Sequence, residues 1–569
     1  MSIDKALSGT GSWLDDRFRG AKGFRTFFRK IFPDHWTFLL GEIALYSFII
    51  LLLTGTFLAL FFKPSMGDIV YHGSYLKLDG VHMSEAYAST LRISFDIRGG
   101  LLIRQIHHWA ADLFVAAILA HMLRIFFTGA YRKPREINWL IGIVLFTLSL
   151  LEGLFGYSLP DDLLSGAGLR ITQGVAQSIP IVGTYLSFFL FGGQYPGHAI
   201  IPRMYILHVL LIPGLFMALI GAHLFIMFHQ KHTQMPGKGR TNKNVVGAPM
   251  YPYFMAKTGA FFFFTFAALA LAGALAQINP IWIYGPYNPL AISAGSQPDF
   301  YMGFLEGSLR IMPAWQWVVF GHTFAFNVFI PALVPLGLIM TGAALWPFIE
   351  QWVTGDKSEH HVNDRPRNAP TRTAIGMAAV SFYGVLWLEG ANDLLAQHFD
   401  VSLYTITEIA RVAIFAVPIL TYIITKRICL GLQRKDLHLL EHGVETGIIR
   451  QLPSGEFVEV TRPLDEEALA KLAIPEREMA ALPAGSAGTG DDDVPPPGMR
   501  GGLGRVKARL NKVVTESVPM NGHGANGHGS NGHGNGHGSD GHGNGQQAAE
   551  GERAPASIGS PEAQDGDQH

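Results

Sequence analysis

The chain has 569 residues, of which 49% are hydrophobic and only 15% are charged, and its formal net charge is -1. This composition is too apolar for an ordinary soluble enzyme of this length, so it predicts a membrane protein. The single cysteine, Cys429, excludes an internal disulfide framework, a cysteine-ligated iron–sulfur cluster and a covalent attachment motif for c-type haem within the chain.

Eight apolar segments follow a polar and basic opening stretch that lacks the pattern of a signal peptide. A helix needs about 20 apolar residues to cross a bilayer, and each segment meets that length. We name the segments A to H, and they lie near 37–62, 101–128, 138–158, 204–228, 256–278, 318–349, 373–391 and 406–430. The sequence therefore predicts an all-α membrane protein with eight transmembrane helices.

The connecting loops differ in charge on the two sides of the predicted membrane. An even number of spans places both termini on one side, where lysine and arginine cluster at 22–30, 132–135, 231–243 and 365–372. Loops on the opposite side carry acidic residues, namely Asp161, Asp162, Asp299, Glu306, Asp393 and Asp400. Since positive loops stay inside, we expect a multi-pass protein of the plasma membrane with both termini in the cytoplasm.

Composition divides the chain into five parts. Residues 1–36 form a cytoplasmic segment, 37–235 contain A to D, and 236–430 contain E to H with a long loop between E and F. A cytoplasmic extension with the strand-like "EFVEV" occupies 431–480. Residues 481–569 contain "NGHG" four times and lack an apolar pattern, which is typical of a disordered tail. Its histidines could bind metal, and a solvated tail is the alternative.

Segments B and D each carry two histidines on one face at two depths. His107 and His121 are fourteen residues apart, which on a helix is about 40° around the axis and about 21 Å along it. His208 and His223 are fifteen apart, or about 60° and about 22 Å. Both segments run inward, so we expect His107 to face His208 near the outer surface and His121 to face His223 near the inner one. His108 lies about 140° from His121, away from this face.

Ionisable groups are costly inside a membrane and mark functional sites. Two neutral imidazoles on opposite sides of a planar macrocycle give six-coordinate haem iron with no open position, which suits electron transfer. A lone membrane histidine more often satisfies its ring by hydrogen bonds to a neighbouring helix. Four histidines at matched depths on parallel helices instead favour two bis-histidine haems.

Glycines recur on segments A and C at the same interval as the histidines. Gly41 and Gly55 are fourteen residues apart, and so are Gly142 and Gly156. Glycine lets another group approach the backbone closely, although small residues also serve ordinary packing between membrane helices. The shared interval favours space for two macrocycles.

Two arginines precede or follow the histidines of segment B by three residues. Arg104 precedes His107, and Arg124 follows His121. Their guanidinium groups could meet haem propionates through charge-assisted hydrogen bonds. Anchoring at the membrane interface is the alternative role.

These motifs together resemble cytochrome b of the quinol–cytochrome c reductase (cytochrome bc1) complexes. The resemblance covers roughly residues 35–430 and includes "GYSLP" at 156–160 and "PDFY" at 298–301. The fifteen-residue interval in D resembles cytochrome b6, whereas eight helices in one chain resemble the bc1 form. The long C-terminal extension makes the chain most similar to the actinobacterial type.

The resemblance implies a dihaem four-helix bundle of A to D with two non-covalent b haems. His107 and His208 would hold the outer, low-potential haem, and His121 and His223 the inner, high-potential haem. It further implies menaquinol as donor and a protonmotive Q cycle, active only with a Rieske iron–sulfur subunit and a dihaem cytochrome c subunit. A dimeric complex in lipid and an aa3-type oxidase supercomplex are also implied, with no nucleic-acid partner.

The family also implies two quinone sites. The second residue of its "PEWY" motif accepts a proton at the outer site, and Asp299 stands there, followed by Phe300 instead of tryptophan. Glu306 is the other candidate base, and Tyr301 is a candidate hydrogen-bond partner of the quinol. For both carboxylates, a solvated loop position is the alternative.

At the inner site the family uses a histidine after D and an aspartate before E. Thr258 stands at the aspartate position, and His229 is displaced by about one residue. His229, His232 and Lys257 are therefore the candidates. Each could instead be a loop charge on the inside.

Two other readings stay open. A dihaem anchor could exchange electrons with quinone for a peripheral dehydrogenase, although such anchors have fewer helices and no "PDFY" loop. A transporter could use the intramembrane histidines and carboxylates as a proton relay, and it would bind no haem.

Overall fold

The computed structural model describes residues 12–13, 15–17, 20–193, 195–291, 297–472 and 502–517. Within these ranges, eight helical spans are long and apolar enough to cross a membrane. The predicted all-α membrane fold with eight transmembrane helices is confirmed. The glycine- and histidine-rich repeats of the predicted tail lie outside the described residues.

The helices are numbered in chain order. They are α1 (Ala21–Phe28), α2 (Leu39–Ala59), α3 (Glu85–Phe95), α4 (Gly100–Thr128), α5 (Glu136–Ser158), α6 (Leu163–Ser178), α7 (Gly183–Phe191), α8 (Ile200–Ile206), α9 (Ile212–Gln230), α10 (Met255–Leu275), α11 (Ile281–Tyr284), α12 (Gly303–Ile311), α13 (Phe326–Thr354), α14 (Pro370–Gly390), α15 (Asn392–Phe399), α16 (Leu403–His442), α17 (Glu466–Leu472) and α18 (Gly502–Val514). Segments A to H correspond to α2, α4, α5, α8 with α9, α10, α13, α14 and α16.

In the described part of the chain, eight short strands form four antiparallel pairs outside the spans. They are β1 (Ile31–Phe32) with β4 (Ala248–Pro249), β2 (Asp68–Val70) with β3 (His82–Ser84), β5 (Trp317–Val319) with β6 (His322–Phe324), and β7 (Val444–Gln451) with β8 (Phe457–Arg462). In the β5–β6 hairpin, both loop residues, Phe320 and Gly321, have positive φ angles of 52° and 76°. This two-residue turn explains why α13 begins at Phe326, later than the predicted start of F near 318.

Three phenylalanines pack against one another in the interior of the first four spans. Phe48 of α2, Phe114 of α4 and Phe216 of α9 are buried, with ring centroids 5.5 to 5.8 Å apart. Phe114 is seven residues from each histidine of α4, and Phe48 is seven from each glycine of α2. The aromatic cluster therefore lies midway between the two predicted haem levels.

A buried ionic network joins the two halves of the chain at the end of the bundle where α4 and α9 finish, which we call the inner end. The Arg372 guanidinium donates to Glu350 Oε1 at 3.0 Å and to Asp364 Oδ2 at 2.9 Å. Arg132 Nη2 lies 3.0 Å from the same Asp364 oxygen. Arg372 is 2% exposed, so this arginine of the positively charged loops binds buried carboxylates inside the protein.

Replacing Arg372 by methionine is expected to lower thermal stability strongly. Removing one member of a buried ion pair leaves uncompensated buried charge, which costs about 3–5 kcal/mol. The measurement is the thermal denaturation midpoint of the detergent-solubilised protein. Lys471→Met is the control, because its ion pair with Glu467 is mostly exposed, at 58% and 65% of the two side chains. Equal midpoints for the two variants would contradict a stabilising role of the network.

The C-terminal extension begins later than its composition predicted. Helix α16 continues past 430 to His442 and ends before Gly443, whose φ is 79°. The strand-like "EFVEV" lies in and just before β8. Helix α18 falls within 481–569, for which no helix was predicted, because its short apolar pattern is diluted by the surrounding glycine and proline.

Candidate functional site

The structure brings the outer histidines of α4 and the fourth span together. The rings of His107 and His208 have centroids 6.2 Å apart and planes inclined at 76°. The two side chains come from different helices, α4 and the turn between α8 and α9. Their packing therefore matches the pairing predicted from helical spacing.

A wide turn explains the fifteen-residue interval in the fourth span. Residues Leu207–Leu211 form a π-helical turn, closed by a hydrogen bond from the Ile212 amide to the Leu207 carbonyl. Pro213 lacks an amide hydrogen, so it cannot close a regular turn to Val209. A π turn takes up one extra residue, so fifteen residues rotate about as far as fourteen in a regular α-helix. His208 and His223 thus have nearly the same relative orientation as His107 and His121.

Each outer ring has a polar neighbour at its Nδ1 atom. Thr54 Oγ1 lies 2.9 Å from His107 Nδ1, and Glu152 Oε1 lies 3.1 Å from His208 Nδ1. Contacts at Nδ1 orient an imidazole and leave Nε2 available to a metal. Glu152 was missed in the sequence, although it stands four residues before Gly156 and therefore on the same helix face.

Three of the four predicted glycines adjoin a histidine ring. A Cβ atom on Gly41 would lie 3.1 Å from His121 Cε1, and one on Gly55 would lie 3.2 Å from His107 Cε1. A Cβ on Gly156 would collide with the His208 ring, whereas one on Gly142 would meet no atom within 4 Å. Gly142 thus borders open space, and its place beside a macrocycle stays a prediction.

One continuous cavity of about 540 Å³ connects the outer histidines with the loop before α12. This size falls within the roughly 300–1,000 Å³ usual for ligand pockets. Its lining includes His107, His208, Gly55, Gly156, Arg104, Asp299 and Tyr301. The predicted outer haem residues and two of the predicted quinol residues therefore border the same space.

Both predicted propionate partners keep buried, unused guanidinium atoms. Arg104 donates to the Asn279 carbonyl at 3.0 Å, yet its Nε has no hydrogen-bond partner among the described residues. Arg124 is 9% exposed and lies over the Phe38 ring at 4.5 Å, and both its Nε and Nη2 lack partners within the same ranges. Buried donors of this kind indicate an acceptor, and haem propionates would supply one.

The inner level is supported by a glycine and an arginine. A Cβ atom on Gly41 would press against the His121 ring, and two guanidinium atoms of Arg124 have no hydrogen-bond partner in the described part of the chain. Together with His121 and His223, these residues fit a second b haem. The donor set of two imidazole pairs thus agrees with the group that the sequence predicts at each level.

Asp299 lies in a hydrogen-bonded cluster that the sequence did not reveal. His108 Nε2 is 2.9 and 3.0 Å from the two Asp299 oxygens, and the Tyr301 hydroxyl donates to Asp299 Oδ2 at 2.9 Å. Ligand atoms of His108, Asp112 and Asp299 all lie within 4.8 Å of one another. His108 and Asp112 are four residues apart and so share a helix face, which was the available signal.

Burial affects the tyrosine of this cluster. Burial, followed by the nearby Asp299 carboxylate, raises the pKa of Tyr301 well above its usual value. The phenol therefore stays protonated at ordinary pH and acts as the donor to Asp299.

Glu306, the other predicted base, lies outside the residues that line the cavity. It forms an ion pair with Arg310, which also lies 3.1 Å from Asp393 Oδ1. Burial raises the pKa of Glu306, and the Arg310 guanidinium opposes this shift. Glu306 Oε2 is buried and has no hydrogen-bond partner among the residues described.

The inner candidates are spread over different surroundings. His232 lines a cavity of about 280 Å³ together with Lys30, Lys231 and Lys243, and burial lowers the pKa of His232 to about 4. His229 is exposed. Lys257 forms an ion pair with Asp34, and Thr258 contacts Tyr46 and Glu42.

Gly156→Val is expected to remove one of two b haems from the protein. The added side chain would occupy the space of the His208 ring and the cavity beside it. Haem per polypeptide, counted by pyridine haemochrome, measures the effect. Gly221→Val is the control, because a Cβ there meets no atom within 4 Å. Full haem content in Gly156→Val would contradict the assignment of this cavity.

Comparison with known proteins gives consistent matches. Residues 112–286 match the family described as Cytochrome b(N-terminal)/b6/petB. A Streptomyces coelicolor protein named "Cytochrome bc1 complex cytochrome b subunit" is 56% identical over 482 residues, covering 84% of this chain and 88% of the relative. Proteins of the same name from Corynebacterium diphtheriae and Mycobacterium leprae are each 52% identical, covering 81% of this chain and 85% and 84% of theirs.

A solved structure supports the fold. A chain of "Hyperthermophilic respiratory Complex III" matches with a TM-score of 0.56 at 22% identity. The match covers 74% of this chain and 99% of that chain. At this identity, the likeness concerns the arrangement of helices alone.

Proposed function

Because this chain belongs to the family of cytochrome b subunits of cytochrome bc1 complexes, we propose that it is the dihaem subunit of a menaquinol–cytochrome c reductase. Family membership implies haem b binding, a multi-pass membrane location and electron transfer within a respiratory oxidoreductase complex. The proposal adds the number of haems, the quinol and the direction of transfer.

Two imidazole pairs hold the proposed haems. His107 and His208 bind the outer one, and His121 and His223 bind the inner one, with Arg104 and Arg124 meeting the propionates. When bound, the two haems supply one-electron carriers between an outer quinol-oxidising site and an inner quinone-reducing site. Thr54 would orient the His107 imidazole through its Nδ1 atom, and Glu152 lies 3.1 Å from Nδ1 of His208.

The single observation that carries the proposal is the cavity that joins the outer histidines to Asp299 and Tyr301. A quinol in this space would lie beside both the outer imidazole pair and a buried carboxylate. Asp299 would accept the proton of a quinol hydroxyl at a carboxylate oxygen. His108 and Tyr301 hold that carboxylate in place, and Glu306 is the proposed next proton acceptor.

The inner cavity is the proposed site of quinone reduction. His232 contributes a neutral imidazole at its wall, and three lysines give it a positive potential. His229, which is exposed, and Lys257, which forms an ion pair with Asp34, lie outside the lining of this cavity and are proposed to assist proton uptake. The positive charges favour the partial negative charge that a quinone gains on reduction.

The remaining proposals concern assembly and orientation. The subunit would act only with Rieske and dihaem cytochrome c subunits, as a dimer of the complex and in a supercomplex with an aa3-type oxidase. Its termini would lie in the cytoplasm, so that quinol oxidation outside and quinone reduction inside contribute to the proton motive force. The loop charges support this orientation.

The test is to purify the intact complex, count its b haem and follow menaquinol-dependent reduction of cytochrome c. Two b haems per chain with separable potentials, together with quinol oxidation, are expected. A chain without stoichiometric haem would overturn the proposal and favour proton-coupled transport. Two haems without quinol–cytochrome c activity in the complete complex would instead favour a dihaem anchor.

A further inference from the structure

Helix α18 has three faces around its axis: one that contacts the protein, one that is apolar and exposed, and one that is basic and exposed. Lys507, Ala508, Asn511 and Val514 are half-buried against the protein. Val506, Leu510 and Val513 are exposed by 50%, 40% and 43%. Since a helix turns about 100° per residue, these three apolar side chains form one strip about 60° wide.

A basic strip borders the apolar one. Arg509 and Lys512 are exposed and lie on the other side of the apolar strip from Lys507, Asn511 and Val514. A short helix with an apolar strip and adjacent cationic residues is the pattern of helices that lie in a membrane interface.

Three contacts hold α18 at the inner end of the bundle. Asn511 Nδ2 donates to the Val353 carbonyl at 2.8 Å, in the last turn of α13. Thr371 Oγ1, in the first turn of α14, donates to the Val513 carbonyl at 2.6 Å. Just beyond α18, Glu516 forms an ion pair with Lys426 of α16. The helix is therefore bound to three spans at once.

The depth of α18 follows from its aromatic neighbour. Lys507 Nζ lies 5.8 Å from the Trp352 ring centroid, and Trp352 is 41% exposed near the end of α13. Tryptophans at the ends of spans lie at the level of the lipid headgroups. Helix α18 is thus held at the boundary between acyl chains and water.

We propose that α18 is an interfacial helix that binds anionic lipid of the cytoplasmic leaflet. Val506, Leu510 and Val513 insert among the acyl chains, while Arg509 and Lys512 contact the headgroups. The charge of the strip matches an anionic lipid surface, and the position of α18 beside three spans puts that surface next to it. The proposal uses the cytoplasmic placement of this end of the bundle and is otherwise independent of the quinone chemistry.

The test uses the full chain in its complex, reconstituted in nanodiscs of phosphatidylcholine with or without phosphatidylglycerol. In a Cys429→Ala background, bimane is attached at Leu510→Cys or at Lys512→Cys, and lipids that carry a nitroxide quencher are added. Quenching at position 510 is expected to be several-fold stronger than at 512. Phe415→Cys, on the exposed face of α16, is the reference for lipid contact and for correct folding.

A second pair of variants tests the basic strip. In the Leu510→Cys protein, Arg509→Gln with Lys512→Gln is expected to abolish the extra quenching that phosphatidylglycerol produces. Weak quenching at 510 in both lipids, with normal quenching at 415, would overturn the proposal and indicate that another subunit covers the helix. Unchanged dependence on phosphatidylglycerol in the glutamine variant would overturn the assignment to anionic lipid.

Discussion

Replacing His107 by alanine is expected to leave one b haem per chain and to abolish quinol-dependent cytochrome c reduction. Replacing the adjacent His108 by alanine is expected to leave both haems in place. The two side chains differ by about 100° around α4. The His107 ring meets His208, and the His108 ring meets Asp299. Redox-titrated absorption spectra and the pyridine haemochrome assay of the two variants measure the difference.

This comparison controls for general damage to the helix, because the two substitutions are chemically identical and one residue apart. His208→Ala should reproduce the loss seen in His107→Ala, while His121→Ala should disturb the other haem. Loss of the same haem from the His108 variant would refute the separation of roles between the two faces of α4.

Asp299→Asn is expected to slow quinol oxidation by about 10²–10⁴-fold, the usual contribution of a positioned general base. Asparagine keeps the shape of the side chain but cannot take up a proton at pH 7. The haem spectrum and the haem content should remain unchanged, because no contact of Asp299 reaches an imidazole of the four predicted ligands in the described structure. Steady-state reduction of cytochrome c by menaquinol measures the rate.

Glu306→Gln is the matched comparison for Asp299. Since Glu306 lies outside the cavity lining and pairs with Arg310, its neutralisation should slow turnover less than Asp299→Asn. The reverse order would assign the first proton transfer to Glu306. A normal rate in both variants would remove this loop from the proton path altogether.

The cluster of Phe48, Phe114 and Phe216 lies between the two proposed haem levels and would keep them apart. Phe48, Phe114 and Phe216 fill the centre of the first four spans. Close packing in such a core leaves no space for a planar macrocycle at this depth. This packing is consistent with the proposal of one haem above and one below the aromatic cluster.

Much of this organisation follows from the amino-acid sequence alone. Apolar length determines the eight spans, and the fourteen-residue spacing places histidines and glycines on common faces, because the period of an α-helix is a local property of the backbone. For the same reason, the spacing predicted that His108 would not lie on the face shared by His107 and His121.

The tertiary structure decided what these faces meet. His108 and Asp299 are 191 residues apart, so their contact depends on how the E–F loop folds back onto α4. The same applies to Asp364, which Arg132 and Arg372 share, and to α18, which contacts α13 and α14. The period of a helix determines only the direction in which each side chain points from that helix axis. Which side chain of another element it meets depends on how the neighbouring helices are rotated and packed, and therefore on the whole bundle.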